Sequence, residues 1–248
     1  MEALVVFFGL IAGFIDSIAG GGGLITLPVL IWILQSGPEA VATNKIVGTS
    51  AALAALIVYA RSGHLVIKEG LTFACAVGTG AVLGSFVTPF IPEWAFRWFI
   101  LILSPIILWV VSQREMWVKE RALRTGFARR HLLGWGLLAG FYDGMWGPGG
   151  GTFMFLVLFL GARQPMMQAL ACAKLANVFS AGFSLGTFAL RGYVHWALGA
   201  GMASAMVVGA LVGARIADRQ AARVVRPVLV VVTLLLIAKV FFDYYGSR

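Results

Sequence analysis

Residues 13–24 read Gly-Phe-Ile-Asp-Ser-Ile-Ala-Gly-Gly-Gly-Gly-Leu, with the glycine run lying between two apolar segments. Four successive glycines interrupt a helix, because each costs about 1 kcal/mol relative to alanine in a helix interior. Glycine also lets the backbone turn tightly and brings bare N–H groups close to a ligand. The motif returns at residues 140–151 as Gly-Phe-Tyr-Asp-Gly-Met-Trp-Gly-Pro-Gly-Gly-Gly. The chain therefore consists of two copies of one unit, and each copy has a glycine-rich break beside an aspartate, Asp16 or Asp143.

The composition predicts a polytopic membrane protein built only from helices. Of the 248 residues, 60% are hydrophobic and 12% are charged, whereas soluble domains carry about 25% charged residues. Apolar stretches such as 70–92 and 225–242 approach the roughly 20 residues that cross a bilayer as a helix. A transmembrane β-barrel would alternate apolar and polar residues, and these stretches do not. The net charge of +9 lies mostly in short loops, where Lys and Arg set membrane orientation, so it does not indicate nucleic-acid binding.

Each unit is predicted to contain a glycine-broken helical hairpin followed by three spanning helices. The first unit, 1–112, has its hairpin at 2–19 and 24–35 and its spans at 39–60, 70–88 and 94–112. A basic cytoplasmic linker, 113–130, separates it from the second unit, 131–248. The second hairpin is predicted at 131–146 and 152–161, the spans at 166–190, 195–214 and 227–244, and a basic turn at 215–226.

The distribution of Lys and Arg favours inverted over parallel repeats. If the two pieces around each glycine break form a hairpin that returns to its own side, nearly all loop Lys and Arg are cytoplasmic. Only Arg97, Arg191 and Arg248 then lie outside. If the break merely kinks one span, more basic residues fall outside, against the positive-inside rule. We therefore expect one hairpin to enter from each face, with the two glycine tips meeting near the midplane.

Such tips can bind an anion without any charged side chain. A glycine break followed by a helix presents free N–H groups and the positive end of the helix dipole. Discontinuous helices that meet at the midplane are a common layout of secondary transporters. The predicted tip residues are Gly20, Gly21, Gly22, Gly23, Gly147, Gly149, Gly150 and Gly151. The spaced glycines Gly80/Gly84 and Gly209/Gly213 are instead expected to pack helices closely.

Four ionisable residues within predicted membrane segments are further candidates, because charges at that depth are costly and mark function. They are Asp16, Lys45, Asp143 and Lys174. One interpretation is structural, with the pairs Asp16–Lys45 and Asp143–Lys174 each formed within one unit. The other has the lysines attracting an anionic substrate and an aspartate accepting a coupling proton. The amides of Asn44 and Asn177 are additional candidate substrate ligands.

The sequence gives no support for an enzyme. A rhomboid-like protease needs a Gly-x-Ser-Gly nucleophile and a histidine within spans, and a zinc protease needs His-Glu-x-x-His; neither is present. The glycine run is not followed by the Lys-Ser/Thr of a nucleotide-binding P-loop. We therefore predict no catalytic residue, no metal site and no cofactor.

The paired motifs resemble the sulfite exporter TauE/SafE family, also called TSUP. The resemblance rests on the first motif followed by Ala42-Thr43-Asn44-Lys45, and on the second motif followed by Ala173-Lys174-Leu175-Ala176-Asn177. It covers nearly the whole chain. The resemblance implies a multi-pass inner-membrane permease for small sulfur-containing anions or organosulfonates.

The sequence thus leads to a functional hypothesis with open alternatives. We expect a secondary active transporter of a small anion, such as sulfite, thiosulfate or a sulfonate, working by alternating access with protons as a candidate coupling ion. Its partners would be the anionic substrate and the lipid bilayer. An anion channel and a structural or assembly protein of the membrane remain the alternatives.

Overall fold

The computed structural model describes residues 2–91 and 129–245, and every described regular element is helical. The predicted span 94–112 and the linker, up to residue 128, lie outside these ranges. We number the α-helices in chain order: α1 Glu2–Ala19, α2 Gly23–Leu34, α3 Gly37–Arg61, α4 Ile67–Val87, α5 Arg129–Met145, α6 Gly150–Leu156, α7 Met166–Leu190 and α8 Trp196–Tyr245. A 3₁₀ turn, Thr88–Phe90, follows α4, and a π-helical turn, Val157–Gly161, extends α6.

The helical membrane fold predicted from hydropathy is confirmed. Four of the described helices are long and apolar enough to cross a membrane: Gly37–Arg61, Ile67–Phe90, Met166–Leu190 and Trp196–Gln220. The pieces on either side of each glycine break are shorter. Helix α2 has 12 residues, a rise of about 18 Å, which is too short for an upright span.

The predicted basic turn at 215–226 is a kink between two helical segments rather than a loop. The two segments of α8 meet at Gln220, whose φ of −137° and ψ of 33° are not helical. Arginine, alanine and glutamine are good helix formers, so the residues on either side of the kink stay helical. The expected break between the last two helical segments therefore lies at Gln220, within the predicted turn.

Close glycine contacts join helices of different units. Helix α4 packs along α5 so tightly that a Cβ on Gly84 would lie 2.0 Å from the carbonyl oxygen of Phe141. A Cβ on Gly140 would lie 1.9 Å from the carbonyl oxygen of Val77. Helix α1 packs along α8 in the same way, with a Cβ on Gly209 placed 2.0 Å from the Leu10 carbonyl oxygen. The packing role expected for these spaced glycines is confirmed, and the seams that they form run between units rather than within them.

Polar contacts at the helix ends fix the relative directions of the helices. His195, just before α8, contacts Glu39 in the first turn of α3 at 2.7 Å, between Nε2 and Oε2. At the other end, His64 after α3 contacts Asp218 of α8 at 2.8 Å. Helices α3 and α8 therefore run parallel. Glu69 at the start of α4 accepts a hydrogen bond from Gln164, just before α7, at 3.1 Å, so that α4 and α7 start at the same end of the bundle.

Candidate substrate site

The two glycine breaks meet in the interior of the bundle. Gly20 has φ +75°, a conformation suited to glycine, and a Cβ on it would lie 2.5 Å from the carbonyl carbon of Gly151. A Cβ on Gly151 would in turn lie 2.8 Å from the Cα of Gly20. The backbones of the two tips are thus in direct contact, and neither has room for a side chain.

A cavity of about 30 Å³ lies beside these tips. A single water needs roughly 10–15 Å³ of such space, so the cavity has room for about two waters. The first unit contributes Asp16, Gly20, Gly23, Asn44, Lys45 and Gly48, and the second contributes Asp143, Gly147, Gly151, Asn177 and Ala181. All polar side chains in this lining are buried, the most exposed being Asn177 at 8%.

Nine of the fourteen candidate residues from the sequence line this cavity, and the other five lie around it. Gly22 is packed away from it, since a Cβ there would meet Met206 Cε at 2.4 Å. A Cβ on Gly150 would clash with the carboxylate of Asp143. Lys174 contacts Asp16 but does not itself line the cavity. Gly149 caps the start of α6 with φ +77°, and Gly21 lies in the first break.

The ion pairs expected within each unit are wrong, because the partners are exchanged between units. Lys45 Nζ lies 3.4 Å from Oδ2 of Asp143, and Lys174 Nζ lies 2.9 Å from Oδ2 of Asp16. The reason is the interlocked packing. Helix α1 of the first unit lies along α8 of the second, and α5 of the second lies along α4 of the first. Each broken helix therefore carries its aspartate to a lysine of the other unit.

Each lysine also donates a hydrogen bond to the C-terminal end of a helix that precedes a glycine break. Lys45 Nζ donates to the backbone carbonyl of Asp143, and Lys174 Nζ donates to that of Asp16. These carbonyls belong to the last turns of α5 and α1, where the helix dipole leaves partial negative charge. The ammonium groups thus neutralise both a carboxylate and a helix end, which explains how two buried lysines are tolerated.

The surroundings of the two carboxylates differ. Oδ1 of Asp16 accepts a hydrogen bond from the backbone N–H of Gly22 at 3.2 Å. Oδ2 of Asp143 instead accepts a hydrogen bond from the Ser180 hydroxyl at 2.5 Å. Sequence reasoning missed Ser180, although it lies three residues after Asn177 and hence on the same helical face.

The two asparagines also differ. Oδ1 of Asn44 accepts a hydrogen bond from the Thr26 hydroxyl at 2.6 Å, so α2 holds this amide in place. Asn177 forms no hydrogen bond with any residue in the ranges 2–91 and 129–245. Its Nδ2 would lie 3.2 Å from a Cβ on Gly151, which places the amide at the second tip. The Asn177 amide is thus a buried polar group whose hydrogen-bonding capacity remains available in the cavity.

Comparisons with known proteins identify the family of the chain. The family described as "Sulfite exporter TauE/SafE" matches residues 5–240. The chain is 35% identical over 235 residues to "Probable membrane transporter protein ORF9" of Sinorhizobium sp., covering 94% of this chain and 89% of that protein. It is 31% identical over 246 residues to "Probable membrane transporter protein YfcA" of Escherichia coli K12, covering 99% and 91%.

A third relative, "Probable membrane transporter protein" of Haemophilus influenzae, is 31% identical over 248 residues, covering 98% of this chain and 96% of that protein. No solved structure matches the chain. The family match spans both glycine motifs, both lysines and all four membrane-length helices described above. The chain therefore belongs to the sulfite exporter TauE/SafE family and is a multi-pass membrane transporter.

Proposed function

We propose that this protein is a secondary transporter of a small anion, in the class of sulfur-containing oxyanions and organosulfonates, working by alternating access. The observation that carries the proposal is the buried cavity where the two glycine tips meet. A lysine and two amides from both units line it. Ammonium and amide N–H groups are the donors that an oxyanion requires.

The size of the cavity favours a carrier over a channel. A cavity of about 30 Å³ is small for a sulfonate group, so we expect the helices around it to separate when the substrate enters. A channel would need a continuous polar path, whereas here the tips contact each other and the polar lining residues are buried. The name of the matching family supports sulfite or a related anion as substrate.

The directions of the helices support an inverted-repeat organisation with units at 1–112 and 131–248. His195 follows the end of α7 closely and contacts Glu39 at the start of α3, so these two corresponding helices run in opposite directions. Lys45 and Lys174 each lie eight residues after the first residue of their helix, a rise of about 12 Å. The two ion pairs would then lie on opposite sides of the cavity, each nearer one face. We further propose an inner-membrane location with the linker 113–130 in the cytoplasm.

Gly48 offers a direct test of the cavity. It lines the cavity, and a Cβ on it would meet no other atom within 4 Å. Gly48→Ala therefore adds a methyl group to the substrate space without a clash. We expect wild-type protein in proteoliposomes to show saturable uptake of sulfite, thiosulfate or methanesulfonate, and Gly48→Ala to reduce its kcat/KM by about tenfold or more.

The matched control is Gly201→Ala in α8, at an exposed glycine that also has open space around its Cβ position. This variant should transport like the wild type. Equal rates for all three proteins would remove the cavity from the transport path. Absence of saturable flux for every anion of the panel would refute the proposed function.

A further inference from the structure

The buried charges around the cavity cancel before any substrate arrives. The two lysines and the two aspartates form two complete pairs. An anion that enters the cavity adds one uncompensated negative charge at a buried position. Such a charge is strongly unfavourable unless a cation accompanies it. Among the described cavity-lining residues, only Asp16 and Asp143 can remove this excess by taking up a proton.

The two aspartates differ in whether their partners can accept a proton. Asp16 is held by the Lys174 ammonium and the backbone N–H of Gly22, and both groups only donate hydrogen bonds. Protonation of Asp16 would therefore place its O–H against a donor. Asp143 faces the hydroxyl of Ser180, which can donate to a carboxylate and can rotate to accept from a carboxylic acid.

The lysine paired with Asp143 is also the one that can bind the anion once Asp143 is protonated. Lys45 lines the cavity, whereas Lys174 does not. Its Nζ lies 3.4 Å from Oδ2 of Asp143, against 2.9 Å in the other pair. When Asp143 is neutral, Lys45 keeps its hydrogen bond to the Asp143 carbonyl. Its positive charge is then free to bind the anion.

Resting on the proposed anion transport, we propose that Asp143 is the coupling site and that it binds one proton for each monovalent anion carried. The proton forms an O–H bond on the carboxylate, the Ser180 hydroxyl turns to accept it, and the anion pairs with Lys45. Both are released at the opposite face, where Asp143 loses its proton and recovers the ion pair with Lys45. The complete cycle moves no net charge.

The groups facing Asp143 are consistent with this assignment. Helix α3 presents Lys45 and α7 presents Ser180. Helix α1 places Asp16 in the same cavity, where Lys174 balances its charge. On α5 itself, the Tyr142 hydroxyl donates to the Pro148 carbonyl. Helix α4 packs its glycines against α5, and among the described residues that line the cavity only Asp16, Lys45 and Asp143 carry a charge.

The test uses purified full-length protein in proteoliposomes with labelled methanesulfonate, a monovalent anion that does not itself titrate near neutral pH, and with thiosulfate. An inward gradient of one pH unit should accumulate methanesulfonate about tenfold at one proton per anion. Imposing a membrane potential with valinomycin should leave that accumulation unchanged. Accumulation that follows the potential and ignores the pH gradient would overturn the proposal.

Asp143→Asn places a permanently neutral group at the coupling site. We expect it to lose the accumulation of methanesulfonate that the pH gradient drives, and we expect whatever exchange between labelled and unlabelled pools it retains to become independent of pH. Ser180→Ala should move the pH at which uptake is half-maximal, and Ser180→Thr, which restores a hydroxyl, should return it. These serine variants provide the answer if Asp143→Asn does not fold.

The outcomes separate this proposal from the proposed function. Wild-type exchange of either anion without coupling to protons, or gradient-driven accumulation by Asp143→Asn equal to the wild type, refutes Asp143 as the coupling site and leaves the transporter intact. No exchange of either anion by the wild type refutes the transporter, and the coupling site with it.

Discussion

The two buried ion pairs derive from corresponding residues of the repeated motif, yet they have different surroundings. Lys174 and Asp16 form the shorter pair, a backbone N–H completes it, and its lysine lies outside the cavity. Lys45 and Asp143 form the longer pair, a serine hydroxyl completes it, and both residues line the cavity. From this difference we propose that the Lys174–Asp16 pair acts mainly in structure and that the Lys45–Asp143 pair acts in proton coupling.

The largest effect on stability is expected when the Lys174–Asp16 pair loses its lysine. Lys174→Ala leaves the Asp16 carboxylate buried without its cation, and we expect a loss of about 3–5 kcal/mol in the free energy of unfolding. Lys45→Ala should cost less, because Asp143 keeps the Ser180 hydroxyl and can be neutralised by a proton. Unfolding in mixed detergent micelles measures both values.

The matched control for this pair is the double variant Asp16→Asn with Lys174→Met, which removes both charges. It should recover most of the stability that Lys174→Ala loses. If Lys45→Ala proves as destabilising as Lys174→Ala, the two pairs are equivalent and the division of roles is incorrect.

Two glycines of the first tip, Gly20 and Gly23, should differ in whether their substitution lowers stability or anion affinity. Gly20→Ala requires a side chain at positive φ and within 2.5 Å of the second tip, which we expect to destabilise the protein by about 2–3 kcal/mol. Gly23→Ala places its Cβ at ordinary contact distance, 3.4 Å from Asn44 Nδ2. Its effect should fall on anion affinity, measured by calorimetry, with little change in melting temperature. The reverse order would show that the tips do not meet as described.

The smallest effects on stability are expected at the two side-chain amides, Asn44 and Asn177. Asn44→Ala removes the partner of Thr26, and we expect a loss of about 1 kcal/mol in stability. Asn177→Ala breaks no hydrogen bond within the described residues, so its melting temperature should match the wild type while its anion affinity falls. Unchanged affinity in Asn177→Ala would show that this amide does not contact the substrate.

The sequence was sufficient to predict most of the described helices and nine of the residues that line the cavity. Glycine runs and apolar lengths located both breaks, and the predicted segments 2–19 and 166–190 agree with α1 and α7. The pairing of the charges could not be obtained in this way. Each aspartate is equally compatible with either lysine along the chain, and the choice depends on which helices pack together.

One signal for that choice was present in the sequence. Both broken helices carry spaced glycines, such as Gly9 and Gly13 in α1, which complement the glycine pairs of α8 and α4. Spaced glycines predict closely packed helix pairs. Several helices of this chain carry them, however, so the sequence allows more than one choice of partner helix. Ser180 was missed for a related reason, because its role depends on a carboxylate brought to it by another helix.

The packing of helices from one unit against helices of the other has a consequence for biosynthesis. A chain that emerges from the ribosome N-terminus first exposes Asp16 and the glycine seam of α1 long before Lys174 and α8 exist. Asp16 therefore cannot form the ion pair of the folded protein until Lys174 has been made. Separately expressed halves would each lack the residues that pair with their buried charges in the folded protein, and we expect activity only when both halves are made in the same cell and can assemble.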